Sequence, residues 1–134
     1  MHASIQYGSI FGVEDLVSFV VGLIIFISII SMIEAGVMVL LQWDKFWQSL
    51  RVSLQMNVSS TIFGMGGGIL ISGMMFDKFS IWLATAFAFL LSVLIEGGIL
   101  MLTKRGTPLL NWVVSLIANA TSYSLLILPI SWIN

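Results

Sequence analysis

The sequence predicts an all-α polytopic membrane protein: four transmembrane helices paired as two helical hairpins that enter the bilayer with the same orientation. Three observations carry this. Of its 134 residues 59% are hydrophobic and 8% charged, and the mean hydropathy is +1.11, whereas a soluble domain has roughly one quarter charged residues. Four apolar runs, at about 13–42, 46–75, 79–103 and 109–133, each reach the roughly 20 residues of helix that cross ~30 Å of hydrocarbon. Finally, the chain repeats itself at an offset of 62 residues.

The first run opens with Glu14 and Asp15, acids that suit the positive end of a helix dipole. It has neither the basic start nor the small-residue cleavage site of a signal peptide, so it is expected to be retained. It ends at "WDK", residues 43–45. The second run ends at "FDK", 76–78, and the third at "KRGTP", 104–108, where Gly-Thr-Pro breaks the helix. Such short turns make successive helices antiparallel neighbours. Lys45, Arg51, Lys104 and Arg105 flank the first and third turns, and Lys78 alone marks the second. The positive-inside bias then puts both hairpin tips in the cytoplasm and both termini outside, in what is expected to be a bacterial inner membrane. Arg51 lies near enough to the interface to snorkel back to it.

Residues 33–60 set over 95–122 match at Ile33/Ile95, Glu34/Glu96, Gly36/Gly98, Leu40/Leu102, Val52/Val114, Ser53/Ser115, Leu54/Leu116, Asn57/Asn119 and Ser60/Ser122. Apolar matches are cheap in membrane helices; a glutamate, an asparagine and two serines in register are not. A single transmembrane domain, 1–134, therefore reads as repeat 1 at about 13–75 and repeat 2 at about 79–133. With two helices per unit, the copies are parallel repeats about an axis along the membrane normal.

Counting outward from each hairpin tip puts Glu34 at the depth of Asn57 and Glu96 at that of Asn119, about 15–18 Å from the cytoplasmic end at 1.5 Å per residue. Ser53, Asn57, Ser60 and Gly64 share one helical face; Ser115, Asn119 and Ser122 repeat it, and Ser31 neighbours Glu34. A midplane carboxylate costs about 2.5–3.5 kcal/mol on insertion scales, so it must be protonated, hydrogen-bonded or wet. One reading of this intramembrane polar cluster is a structural clamp, a neutral glutamic acid closed on an asparagine amide and worth on the order of 1 kcal/mol per bond. The other is an ion, proton or polar-substrate path along Glu34 and Glu96. No basic residue lies at that depth to pair with either.

Other motifs carry less. "GMGGGILISG", 64–73, lacks the preceding strand of a phosphate loop. Gly64, Gly66, Gly67 and Gly68 instead suggest helix packing, with a kink, tilt or break near Gly67 in so long a run. The sequons "NVS" and "NAT" at 57–59 and 119–121 lie at membrane depth. Trp43, Trp47, Trp82, Trp112 and Trp132 sit near helix ends, as interface anchors do. Without cysteine, and with His2 as the one histidine, no catalytic residue, metal site or cofactor is expected. The catalytic arrangement the residues could still build is an aspartyl-type dyad, with Glu34 and Glu96 meeting across the pseudo-two-fold axis to share a proton. With basic residues only singly or in pairs, nucleic acid is not an expected partner. The expected partners are the lipid bilayer and other membrane-protein subunits, in a homo- or hetero-oligomer.

The segment "IEAGVMVLLQWDKFWQSLRVSLQMNVSSTIFG", residues 33–64, resembles the FraC filament-integrity proteins of filamentous cyanobacteria. In that family a buried "IEA" helix passes through a short charged turn into a helix with "MN", a serine three residues later and a nearby glycine. Glu34, Ala35, Asn57, Ser60 and Gly64 match this pattern, and 95–122 is a second, weaker copy. The resemblance implies a non-enzymatic structural part of septal cell–cell junctions. Together these features predict a structural or assembly subunit of a larger membrane complex, with a small oligomeric channel or transporter using the glutamates as proton- or cation-coupled groups as the alternative.

Overall fold

A computed structural model describes the backbone over residues 12–75 and 81–131, and the side chains over 12–66 and 83–125. The described residues are all-α, with no strand: α1 Val13–Leu40, α2 Phe46–Met75, α3 Ile81–Thr103 and α4 Pro108–Ser131. The "FDK" turn, the side chains at Gly67 and Gly68, and those of Trp82 and Trp132 lie outside the described residues.

Local chemistry sets the ends. Asp15 Oδ2 accepts a hydrogen bond from the Gly12 amide at 3.0 Å, occupying a donor that the first turn of α1 leaves free. At the other end Trp43 N donates to Met38 O and Gln42 N to Val39 O, the two bonds of a Schellman cap. That cap needs a left-handed residue, and Gln42, at φ 56°, takes a role usually given to glycine. α1 therefore stops two residues before the sequence reading ended it, and the chain turns so that Trp43 points inward. α4 begins with Pro108, whose missing N–H costs nothing at a first helical position.

The helices close a ring. α1 packs on α2 and α4, α3 packs on α2 and α4, and among the described residues the backbones of the diagonal pairs α1–α3 and α2–α4 do not approach each other. Met38, Trp43, Val52, Met56, Leu100 and Val114 form the apolar core, flanked by Leu41, Ile99 and Leu110. It lies toward the hairpin tips. On α1 no residue before Ile30 is buried, and this half presents Leu16, Phe19, Ile24 and Ile25 outward.

Burial follows the 62-residue offset. Glu34, Ala35, Met38, Ser49, Val52, Ser53, Met56 and Asn57 are buried, and so are Glu96, Gly97, Leu100, Asn111, Val114, Ser115, Ala118 and Asn119. α2 runs through Gly64–Gly68 without a break. Among the described residues two helical segments, Val13–Leu40 and Leu83–Thr103, are long and apolar enough to cross a membrane by length and composition. α2 and α4 are more polar, because they supply the asparagines and most of the serines of the interior.

Candidate functional site

Above the apolar core lies a layer of polar side chains with Glu34 and Glu96 at its centre, each only 1% exposed. Glu34 reaches it from α1. On α2, Ser53 and Asn57 are one turn apart and share a face, so both meet the same carboxyl oxygen. Ser53 Oγ donates to Glu34 Oε2 at 2.9 Å and Asn57 Nδ2 donates to it at 2.5 Å. The Asn57 amide also lies 3.1 Å from the Ser53 carbonyl and 3.3 Å from its hydroxyl, which fixes the side chain along α2. The other oxygen, Oε1, accepts from Ser122 Oγ of α4 at 3.1 Å. Glu34 thus ties three helices and both hairpins together.

The second copy is built alike but not identically. Asn119 Nδ2 donates to Glu96 Oε2 at 2.6 Å and lies 3.0 Å from the Ser115 carbonyl. Ser60 of α2 lies beside Glu96, in the place Ser122 takes at Glu34, and its hydroxyl donates to the Asn57 carbonyl at 3.3 Å. Ser115 departs from the pattern: its hydroxyl donates to the Val93 carbonyl of α3 at 2.8 Å. The two carboxyl groups sit close enough to interact electrostatically. The eight sequence-selected polar residues are thus gathered into one cluster, all buried but the half-buried Ser60.

The glycines differ. Gly64 and Gly66 are exposed, and a Cβ built on either meets nothing within 4 Å, so among the described residues they pack against no neighbour. The close approach occurs at Gly97, where a Cβ would overlap the Trp112 ring. That position follows Glu96 and is Ala35 in the first copy.

A second polar assembly, at the tips, escaped sequence reasoning. Trp43, expected at the interface, is buried, and its Nε1 donates to Asn111 Oδ1 at 2.8 Å. Asn111 Nδ2 donates to the Lys104 carbonyl at 2.6 Å. Lys104 Nζ returns to the Trp43 carbonyl, stands 5.3 Å from the Trp43 ring centre, and pairs with Asp44 at 3.8 Å. This circuit clasps one hairpin tip to the other. The available signal was Asn111 itself, an amide in a helix whose repeat partner, Ser49, is also buried. Trp47, by contrast, is 78% exposed and Trp112 is partly exposed.

Chemically the cluster is rich in donors already spent on the carboxyls. No group of three or more histidine, cysteine or acidic side chains able to hold a metal exists among the described residues. No protein-family model, no curated protein and no solved structure matches the chain.

Proposed function

We propose that the chain crosses a membrane four times, tips in the cytoplasm and termini outside, and serves as a non-enzymatic structural subunit of a larger membrane complex. A bacterial inner membrane fits the positive-inside bias, and a septal cell–cell junction is the kind of complex toward which the FraC resemblance points. The observation that carries the reading is the closure of the polar layer on itself. Glu34 takes donors from α2 and α4, Glu96 takes Asn119 of α4 with Ser60 of α2 beside it, and both asparagines are braced by their own helices. Interior polarity of this kind serves as a clamp worth on the order of 1 kcal/mol per interhelical bond. The apolar outer faces, such as Leu16, Phe19, Ile24 and Ile25 on α1, suit lipid and partner helices.

A second reading draws on one observation, the proximity of the two carboxyls across the hairpin interface. In a small oligomeric channel or transporter they would be proton- or cation-coupled groups. Glu34→Gln and Glu96→Gln proteins, purified in mild detergent and reconstituted in liposomes, separate the two. The structural reading expects no wild-type flux, together with variants that assemble poorly. A wild-type flux that vanishes in variants of normal assembly would overturn it.

A further inference from the structure

One buried polar atom in the cluster has no partner. Ser31 is fully buried, yet its Oγ makes no hydrogen bond. Its own helix offers an easy solution that other hydroxyls take: Ser28 donates to the carbonyl four residues back, as do Thr103, Thr121 and Ser124. A buried hydroxyl left without a partner is costly, so its environment points to something it can bind.

Along α1 the titratable side chain next to Ser31 is Glu34 of the carboxyl pair. Ser31 and Glu34 are three apart on the buried face of α1, and helical side chains lean toward the helix N-terminus. The Glu34 carboxyl is therefore carried back along α1 toward Ser31. The donors around the pair come from Ser53, Asn57, Ser60, Asn119 and Ser122, all neutral. The cations on described residues lie elsewhere: Lys104 on Trp43 and Asp44 at the tips, Lys45 and Arg105 in the tip turns, and Arg51 exposed on α2. Glu34 Oε1 holds a single donor, Ser122, and a carboxylate oxygen has capacity for a second partner.

We propose that Glu34 and Glu96, with the Ser31 hydroxyl, hold one small monovalent cation of the sodium class. Oxygen-only ligation by two carboxyls and a neutral hydroxyl suits a hard cation. Two carboxyls are few for calcium, and magnesium keeps several waters of its own, which a packed interior does not favour. With one of the two carboxyls ionised and the other protonated, the ion leaves the pair neutral and adds a third kind of link to the clamp; it requires no transport.

The test is thermal unfolding of the full-length protein in mild detergent, in sodium, potassium or choline chloride at equal ionic strength. Sodium is expected to give a saturable upward shift of the midpoint that choline does not. Because Ser31 makes no hydrogen bond, Ser31→Ala is expected to fold normally in choline and to weaken the apparent sodium affinity by about tenfold, read from the linked stabilisation. Glu96→Gln is expected to lose the sodium shift altogether. Equal midpoints in sodium and choline for the wild type, or a sodium shift that Ser31→Ala leaves intact, would overturn the site. The clamp is judged separately, by the stability of Glu34→Gln and Glu96→Gln in choline alone.

Discussion

The two hairpins place the same residues at the same register and use them differently. In the first, the serine one turn before the asparagine donates to the glutamate; in the second, its counterpart Ser115 crosses to a backbone carbonyl of α3. Among the described residues Glu34 consequently collects three side-chain donors, while Glu96 relies on Asn119. Duplication supplies the parts in pairs, but packing distributes them unequally, and Glu34 becomes the hub of the bundle.

The largest expected effect tests that inequality directly. Glu34→Ala takes the side-chain acceptor from Ser53 and leaves Asn57 and Ser122 only the carbonyls of their own helices, and should destabilise by about 2–3 kcal/mol in mixed-micelle unfolding, given ~1–3 kcal/mol per buried polar group left unpaired. Glu96→Ala should cost about 1 kcal/mol less. Relief from burying a carboxyl is common to both variants, so their difference isolates the donor count; equal losses would mean the copies are equivalent.

Next comes a contrast at the residue after each glutamate. Gly97→Ala pushes a methyl into the Trp112 ring and should cost about 1–3 kcal/mol as overpacking does. Trp112→Leu should recover most of that loss, and Gly64→Ala, which meets open space, should cost nothing of the kind. A smaller effect is expected at the serines. Ser53→Ala should cost about 1 kcal/mol in the same unfolding measurement, and Ser115→Ala less, because the Val93 carbonyl it serves retains its place in α3. If Ser115→Ala were the more damaging, the carboxyl would not be the partner that matters. The smallest is Lys104→Met, where loss of a partly exposed clasp should lower stability by about 0.5–1 kcal/mol. Trp43 fluorescence should shift to the red as its burial loosens.

The pairing of glutamate with asparagine was legible because both periodicities are rigid. Helix rise fixes depth and the hairpin turn fixes which depths meet, so Glu34 with Asn57 and Glu96 with Asn119 could be read from spacing alone. All-α architecture followed from composition in the same way. The links between hairpins were not legible. Ser122 on Glu34 and Ser60 on Glu96 depend on which helices close the ring, and no local pattern states that. Trp43 misled for a different reason: tryptophan near a helix end ordinarily marks the interface, but the left-handed backbone at Gln42 redirects the chain, and Asn111 supplies the acceptor that a buried indole needs. The glycine run misled as well, since small residues permit close packing without requiring it. The described close approach is at Gly97 instead, beside a glutamate.

The clasp at the tips has a consequence for chains made side by side. Hairpins that share a polar face can pair with the wrong copy, hairpin 1 of one molecule taking hairpin 1 of the next. The paired glutamates, asparagines and serines of the central layer would tolerate that exchange, because each has its counterpart at the same register. The tips would not: Trp43 and Asp44 belong only to the first copy, Lys104 and Asn111 only to the second. Like a plug that fits one socket, the clasp matches a first hairpin to a second and disfavours the pairing of like hairpins from neighbouring chains.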